Sequence, residues 1–218
     1  MPDFAAQRLN MLESQLRPNQ IGDAALLAAM AELPRELFLP KRLSGIAYVD
    51  EDIPLGGGRV LMQPLVLARL IQGAAVGARE SVLDVACGTG YSTALLSRLA
   101  RRVIGLESSH DLALQASRLL VELNIRNAAV VEGPLPAGHP AAAPYDVILL
   151  GGSVEEVPRT LTDQLADGGR LLTVLRPDQG IGKITLFERL DGIVASRVLD
   201  DGATAPLAGF ARPAQFVF

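Results

Sequence analysis

The stretch VLDVACGTGY, Val82 to Tyr91, decides how the rest of this chain is read. An apolar run carrying one acid, Asp84, passes into a turn where Gly88 and Gly90 flank Thr89. The pattern that follows is helical. Glycines at a strand-to-helix handover let the backbone approach a ligand closely. Such turns commonly receive phosphate on the helix N-terminus. A carboxylate at the end of the strand is therefore the feature that needs a reason.

Outward from the turn, strands and helices alternate. YSTALLSRLA suits a helix and RVIGLE a strand. Leu112, Ala116, Leu119, Leu120 and Leu123 then mark one helical face, with Ser108 or Ser109 as its cap. AAVVEG, YDVILLGG and GRLLTVL supply further strands, and PRTLTDQLADGG suits a helix ended by glycine. Apolar strands separated by helices imply parallel pairing covered on both faces. KITLFERL, GIVASRVLD and AQFVF are strands joined only by turns, so some pairing there is antiparallel. Upstream, Leu9, Leu12 and Leu16 form one helical stripe stopped at Arg17 and Pro18. Asp23 then caps a helix carrying Leu26, Leu27, Met30 and Leu33. AYVDEDIPLGGGRVLMQP suits irregular chain or a short hairpin, and a helix runs from Pro64 to about Gly73.

The expected fold is α/β: a doubly wound, mostly parallel sheet with an N-terminal helical extension and antiparallel C-terminal strands. One domain is expected over 1–218, with the extension and an acceptor loop in 1–75, a cofactor-binding core in 76–178 and the closing strands in 179–218. Ligands of such sheets sit at the carboxyl ends of the strands.

Composition narrows the function. A formal net charge of -4, with acids and bases interspersed, argues against non-specific nucleic-acid binding. Cys87 is the only cysteine, so no internal disulfide forms, and one thiol with two distant histidines makes no metal cluster. Its expected role is small packing in the turn, since no base is identifiable nearby. MPDFAAQRLN lacks the layout of a signal peptide, and no apolar run approaches the roughly 20 residues that span a bilayer. The expectation is a cytoplasmic protein with no nucleic-acid or membrane partner.

Two acids single out the ligand. A dinucleotide turn would continue to a third glycine, but counting on from Gly88 and Gly90 reaches Thr93. A pyrophosphate beside Asp84 would meet a like charge, whereas a ligand bearing an ammonium next to a sulfonium would be attracted. S-adenosylmethionine carries both. Glu107 lies 23 residues after Asp84 at the end of RVIGLE, a position from which an acid accepts hydrogen bonds from ribose hydroxyls.

Several segments together resemble the protein-L-isoaspartate O-methyltransferases: MLESQLRP, AMAELPRELFLP, AYVDEDIPLGGG, VLDVACGTGYSTALL, VIGLE, PYDVILLGG and VPRTLTDQLADGGRLL, in that family's order and spacing. The resemblance implies a Rossmann-like methyltransferase that uses S-adenosyl-L-methionine. It also implies repair of damaged proteins, by methylation of the carboxylate of L-isoaspartyl residues, with isoaspartyl-containing proteins or peptides as partners. The sequence leaves the oligomeric state open, with a monomer favoured. The implied cofactor residues are Asp84, Ala86, Gly88, Thr89, Gly90, Tyr91, Glu107, Ser108, Gly133 and Pro134. Tyr91 either contacts the cofactor or fills the space beside the turn.

Gly58, Arg59, Val60, Leu61, Met62 and Gln63 form the loop expected over the acceptor. That loop departs from the family. A glutamine, threonine, isoleucine, serine run is replaced by Arg59 to Met62, so Met62 stands at the family's active-site serine, and Leu65 replaces a histidine. Gly133, Pro134 and Leu135 replace Gly-Asp-Gly, removing an acid beside the adenine, and Ala86 replaces a common glycine. No catalytic acid or base is assigned. Arg59 is expected either as a solvent-facing charge or as a partner for an acceptor carboxylate. Met62 is expected in packing, and His110 and His139 at the surface. The rewritten loop leaves two alternatives: the same cofactor with another acceptor, or a non-catalytic cofactor-binding module.

Overall fold

A computed structural model of the chain describes residues 3–177 and 180–211. Helix α1 (Phe4–Asn10) starts at Asp3, whose side chain accepts the Ala6 amide, and runs directly into a π-helical turn, Met11–Leu16. The wider turn shifts the buried stripe. Met11, Leu12 and Leu16 face the core, while Leu9, expected there, is 57% exposed. Helix α2 (Ala24–Glu32) is capped by Asp23, which accepts the Ala25 and Leu26 amides, and it buries Leu26, Leu27 and Met30.

Strands β1 (Ile53–Gly56) and β2 (Arg59–Leu61) form the short antiparallel hairpin that the glycine segment allowed. Gly56, Gly57 and Gly58 at its tip have φ of +99°, +58° and +73°, values open to glycine at little cost. Helix α3 (Pro64–Ala74) follows. Its first amides are met by two carboxylates, Asp52 accepting Gln63 N at 2.9 Å and Asp50 accepting Leu65 N at 3.2 Å.

The main sheet contains β3 (Ser81–Val85), β4 (Arg102–Glu107), β5 (Ala128–Glu132), β6 (Tyr145–Val154), β7 (Leu165–Leu175), β8 (Lys183–Leu190) and β9 (Ile193–Asp201), in the order β5-β4-β3-β6-β7-β8-β9. Pairing is parallel from β5 to β7 and antiparallel from β7 to β9. The chain leaves β3 toward β4 and β5, then returns on the other side as β6. The strand order therefore reverses beside the end of β3, where open α/β sheets bind ligands. Helices α4 (Tyr91–Ser97) and α5 (His110–Glu122) follow β3 and β4.

One expected helix is mostly strand. In PRTLTDQLADGG only α6 (Arg159–Thr162) is helical, and β7 begins at Leu165, paired with Tyr145. The register then jumps to Val147↔Arg170, bulging the residues between. Gly168 sits at φ +75°, and a Cβ on Gly169 would meet Tyr145 O at 2.9 Å. The glycine pair that resembles a helix stop thus makes a bulge. The segment AQFVF lies outside the described residues.

Alternation along the strands sorts two cores. Val82, Val147 and Leu149 pack with α2, α3 and α4, while Leu83, Val85, Ile148 and Leu150 pack with Leu135, Leu161, Leu165, Leu207 and Phe210. Asp84 therefore points to the helical side, toward α4. No helix among the described residues is long and apolar enough to cross a membrane.

Asp52 joins distant parts of this frame. Besides Gln63, it accepts the Thr204 hydroxyl at 2.7 Å and the Ala205 amide at 2.8 Å. Replacing Asp52 with alanine should lower stability by about 2–3 kcal/mol, because three bonds to a charged group are lost. Asp23→Ala should lower it by about 1 kcal/mol. Urea unfolding of both variants checks the order.

Candidate functional site

Asp84 ends β3 fully buried, with Ser92 and Thr93 of α4 donating to the same oxygen, Oδ2, at 2.7 and 2.6 Å. Oδ1 has no hydrogen-bond partner among the described residues. A buried carboxylate oxygen without a donor is unfavourable. Desolvation, opposed by the two hydroxyls and reinforced by the nearby Glu107 charge, pushes the Asp84 carboxyl up to about 6. Thr93, which occupies the place of a third glycine, is thus one of the two residues that hold the acid.

The turn is shaped around this carboxylate. Ala86 takes φ +63°, a left-handed conformation mildly strained for alanine and easy for the glycine common there. Gly88 and Gly90 have φ +57° and +91°. A Cβ on Gly88 would lie 3.0 Å from Leu55 of the hairpin, and one on Gly90 equally close to Ala116 of α5. Thr89 donates its hydroxyl to Phe38 O at 2.7 Å, tying the turn to the N-terminal extension. Cys87 is buried, and desolvation raises its thiol well above the ordinary range, so it packs as a neutral group.

Glu107 is fully buried at the end of β4 and is the best-connected carboxylate of the site. It accepts Gly88 N at 3.0 Å, Ser108 N at 2.7 Å and Ser109 N at 2.9 Å. The expected serine cap is not made: the Ser109 side chain forms no cap bond at the start of α5.

The side-chain partners of Glu107 are Arg59, whose Nε lies 3.1 and 3.2 Å from the two carboxylate oxygens while Nη2 donates to Ser108 Oγ at 2.8 Å, and the Ser108 hydroxyl, 3.4 Å from Oε1. Arg59 is only 6% exposed. The expectation of a solvent-facing charge is corrected, because a buried guanidinium takes the nearest buried carboxylate.

The rest of the loop is apolar toward the turn. Leu61 and Met62 are buried and Val60 half-buried, while Gly58 is exposed at the tip. Gln63 donates from its side chain to Ala203 O at 2.5 Å. A cavity of about 20 Å³ separates Leu55, Val60, Leu61 and Met62 from Ala86, Cys87, Tyr91 and Ser92. That is room for a single water.

Sequence reasoning missed Arg35. It is fully buried and donates to Ala47 O and Met62 O, both at 2.6 Å, with its guanidinium 4.9 Å above the Tyr91 ring. Its Nη1 and the Tyr91 hydroxyl have no hydrogen-bond partner among the described residues. Gly133 donates its amide to Glu107 O at 3.0 Å, and Pro134 beside it is exposed. His110 is exposed and meets Glu132 at 2.8 Å, which raises its pKa. His139 is half-buried.

The family profile described as Protein-L-isoaspartate(D-aspartate) O-methyltransferase matches residues 7–208. A protein-L-isoaspartate O-methyltransferase of Methanoculleus marisnigri is 36% identical over 203 residues, covering 93% of this chain and 92% of its own. One from Rhodopseudomonas palustris is 36% identical over 207 residues, covering 94% and 84%. A solved protein-L-isoaspartate O-methyltransferase aligns with a TM-score of 0.79 at 25% identity, over 94% of this chain and 66% of that one. A solved Plasmodium falciparum protein, titled a putative member of the same enzyme class in complex with S-adenosyl-L-homocysteine, shares the fold. Its TM-score is 0.79 at 19% identity, over 95% of this chain and 99% of that one.

Asp84 makes stability depend on pH. Its carboxyl titrates from 3.8 when unfolded to about 6 when folded, so the folded state holds the proton more tightly. The protonated form's contribution is complete below about pH 4 and is lost as pH rises through 6, a fall of about 3 kcal/mol. Urea unfolding of the ligand-free protein from pH 4 to 7 should show this fall, and Asp84→Asn should lack it.

Proposed function

We propose, from the premise that the chain belongs to the protein-L-isoaspartate O-methyltransferase family, that it methylates the carboxylate of L-isoaspartyl residues in damaged proteins and peptides, using S-adenosylmethionine. The observation that carries the reading is the unpartnered Oδ1 of Asp84, a buried negative atom beside a glycine turn. It suits an ammonium and repels a phosphate. The residues fit the donor on this ground. Asp84 with Gly88 to Gly90 would hold its amino-acid end, Glu107 and Ser108 its ribose, and Gly133 with Pro134 would border the adenine. The substrates are cytoplasmic proteins carrying the damaged residue.

The bound donor supplies an electrophilic methyl group on a positively charged sulfur. The chain's own contribution is alignment and exclusion of water. An acceptor carboxylate is already ionised near neutral pH, so no side chain has to remove a proton. The apolar side chains of Val60, Leu61 and Met62 would strip water from the approach to the turn, and Arg35, through the Met62 carbonyl, fixes where the hairpin ends. The serine replaced by Met62 would have offered one positioning bond, worth roughly 0.5–1.5 kcal/mol net. Its loss slows such a transfer without preventing it.

A second reading keeps the donor and changes the acceptor. It is favoured by Val60 and Met62, whose side chains offer an acceptor no hydrogen bond.

Labelled methyl transfer to an isoaspartyl peptide, run beside its aspartyl isomer, tests the first reading: label should enter the isoaspartyl peptide alone. Label in neither peptide, with donor binding intact and label entering another member of an acceptor panel, selects the second. Binding should also carry the signature of Asp84, whose carboxyl titrates at about 6 with the Glu107 charge and the neutral Cys87 thiol as neighbours. Affinity for S-adenosylhomocysteine should rise about tenfold per unit as pH approaches 6 from below and level off above it. Asp84→Asn should flatten that slope in calorimetry.

A further inference from the structure

We propose that Arg59 is an autoinhibitory latch: it occupies the carboxylate that the donor's ribose would take, so the β1–β2 hairpin must lift before the donor can bind. The inference rests on the reading of Glu107 as the ribose partner.

A carboxylate offers about four lone-pair directions. On Glu107 these are used by the amides of Gly88, Ser108 and Ser109 and by Arg59 Nε. Three of the four donors are backbone groups fixed by the turn after β3 and the start of α5. Arg59 reaches both oxygens from a side chain carried by a hairpin outside the main sheet, and the Ser108 hydroxyl adds one longer contact at 3.4 Å. Two ribose hydroxyls can reach Glu107 only by displacing Arg59.

The hairpin closes the crevice by shape as well as by charge. Leu55 packs 3.0 Å from where a Gly88 Cβ would stand, and the space left between hairpin and turn is about 20 Å³. That volume takes a water and no nucleoside. The base of the hairpin is pinned by Asp52 on Gln63 and by Arg35 on Met62 O. The tip, Gly56 to Gly58, has no neighbour within 4 Å of any would-be Cβ. The ion pair and the bond to Ser108 are thus the polar contacts that hold the far end down. A released guanidinium can turn into solvent with its charge intact, so opening is reversible and is driven by the ligand that takes Glu107.

The test is calorimetric titration of S-adenosylhomocysteine into the wild-type protein, Arg59→Gln and Leu55→Ala. Glutamine can still donate to Glu107 but without charge, so ribose hydroxyls compete with a weaker bond. Arg59→Gln should bind at least tenfold more tightly than wild type. Leu55→Ala, which removes hairpin packing against Gly88 and leaves the ion pair, should bind two- to threefold more tightly. In ligand-free protein, amides of residues 53–62 should exchange hydrogen faster in Arg59→Gln. Equal or weaker binding by a folded Arg59→Gln overturns the latch, and if that variant does not fold, equal or weaker binding by Leu55→Ala does so. An Asp84→Asn control separates the two readings. Loss of binding in that control, with no gain in Arg59→Gln, sinks the latch alone. No binding by wild type or either latch variant at millimolar ligand sinks the donor reading and the latch with it.

Discussion

The buried carboxylate of Glu107 is the constraint around which this site is assembled. An ionised carboxylate without access to water is untenable unless nearly every lone pair is met. Meeting them brings together three separate pieces of chain: the glycine turn after β3 through Gly88, the start of α5 through Ser108 and Ser109, and the hairpin through Arg59. Parallel pairing of β3 with β4 sets Asp84 opposite Gly105, placing the turn within reach of Glu107. Gly105 has to be glycine for this, since a Cβ would lie 2.7 Å from the Thr93 hydroxyl.

The two acids near the strand ends are treated in opposite ways. Glu107 is saturated by donors. Asp84 receives both of its hydrogen bonds on one oxygen and leaves the other bare. Two carboxylates in one dry crevice, only one of them balanced by a cation, leave a deficit of positive charge. That deficit discriminates against phosphate more strongly than the missing third glycine does, because a glycine count tests only the room available to a ligand. Charge tests its sign.

Much of this was legible because it is local and periodic. The strands around the turn, α2 with its Asp23 cap, and α3 from Pro64 all follow from the spacing of apolar residues and from capping chemistry. Asp84 and Glu107 were legible because strand ends are easily placed and a carboxylate at either one restricts the ligand. The π-helical turn at Met11–Leu16 was not, since a wider hydrogen-bonded ring leaves no mark on composition. Leu161 and Leu165 mimicked a helix because four-residue spacing also fits a short turn followed by a strand whose residues reach the same core. Arg59 and Arg35 were illegible for a different reason: their partners lie 48 and 27 residues away, and a lone arginine carries no sign of whether it will be buried.

The departures from the family pattern converge on one part of the molecule. Val60 and Met62 replace hydroxyls by apolar surface and Arg59 adds a charge, all within three strand residues and the one that follows. Each alone is a modest change. Together they convert a polar strip into one that packs on the glycine turn and locks onto Glu107, so their combined effect falls on access to the crevice. The transfer itself asks little of side-chain chemistry, because the nucleophile arrives ionised and the leaving group departs neutral. A chain can therefore lose the hydroxyls of its acceptor loop and retain the means of methyl transfer, provided the hairpin opens. On the proposed reading of Glu107, the decisive quantity is the balance between a buried guanidinium and a ribose diol for the same two oxygens.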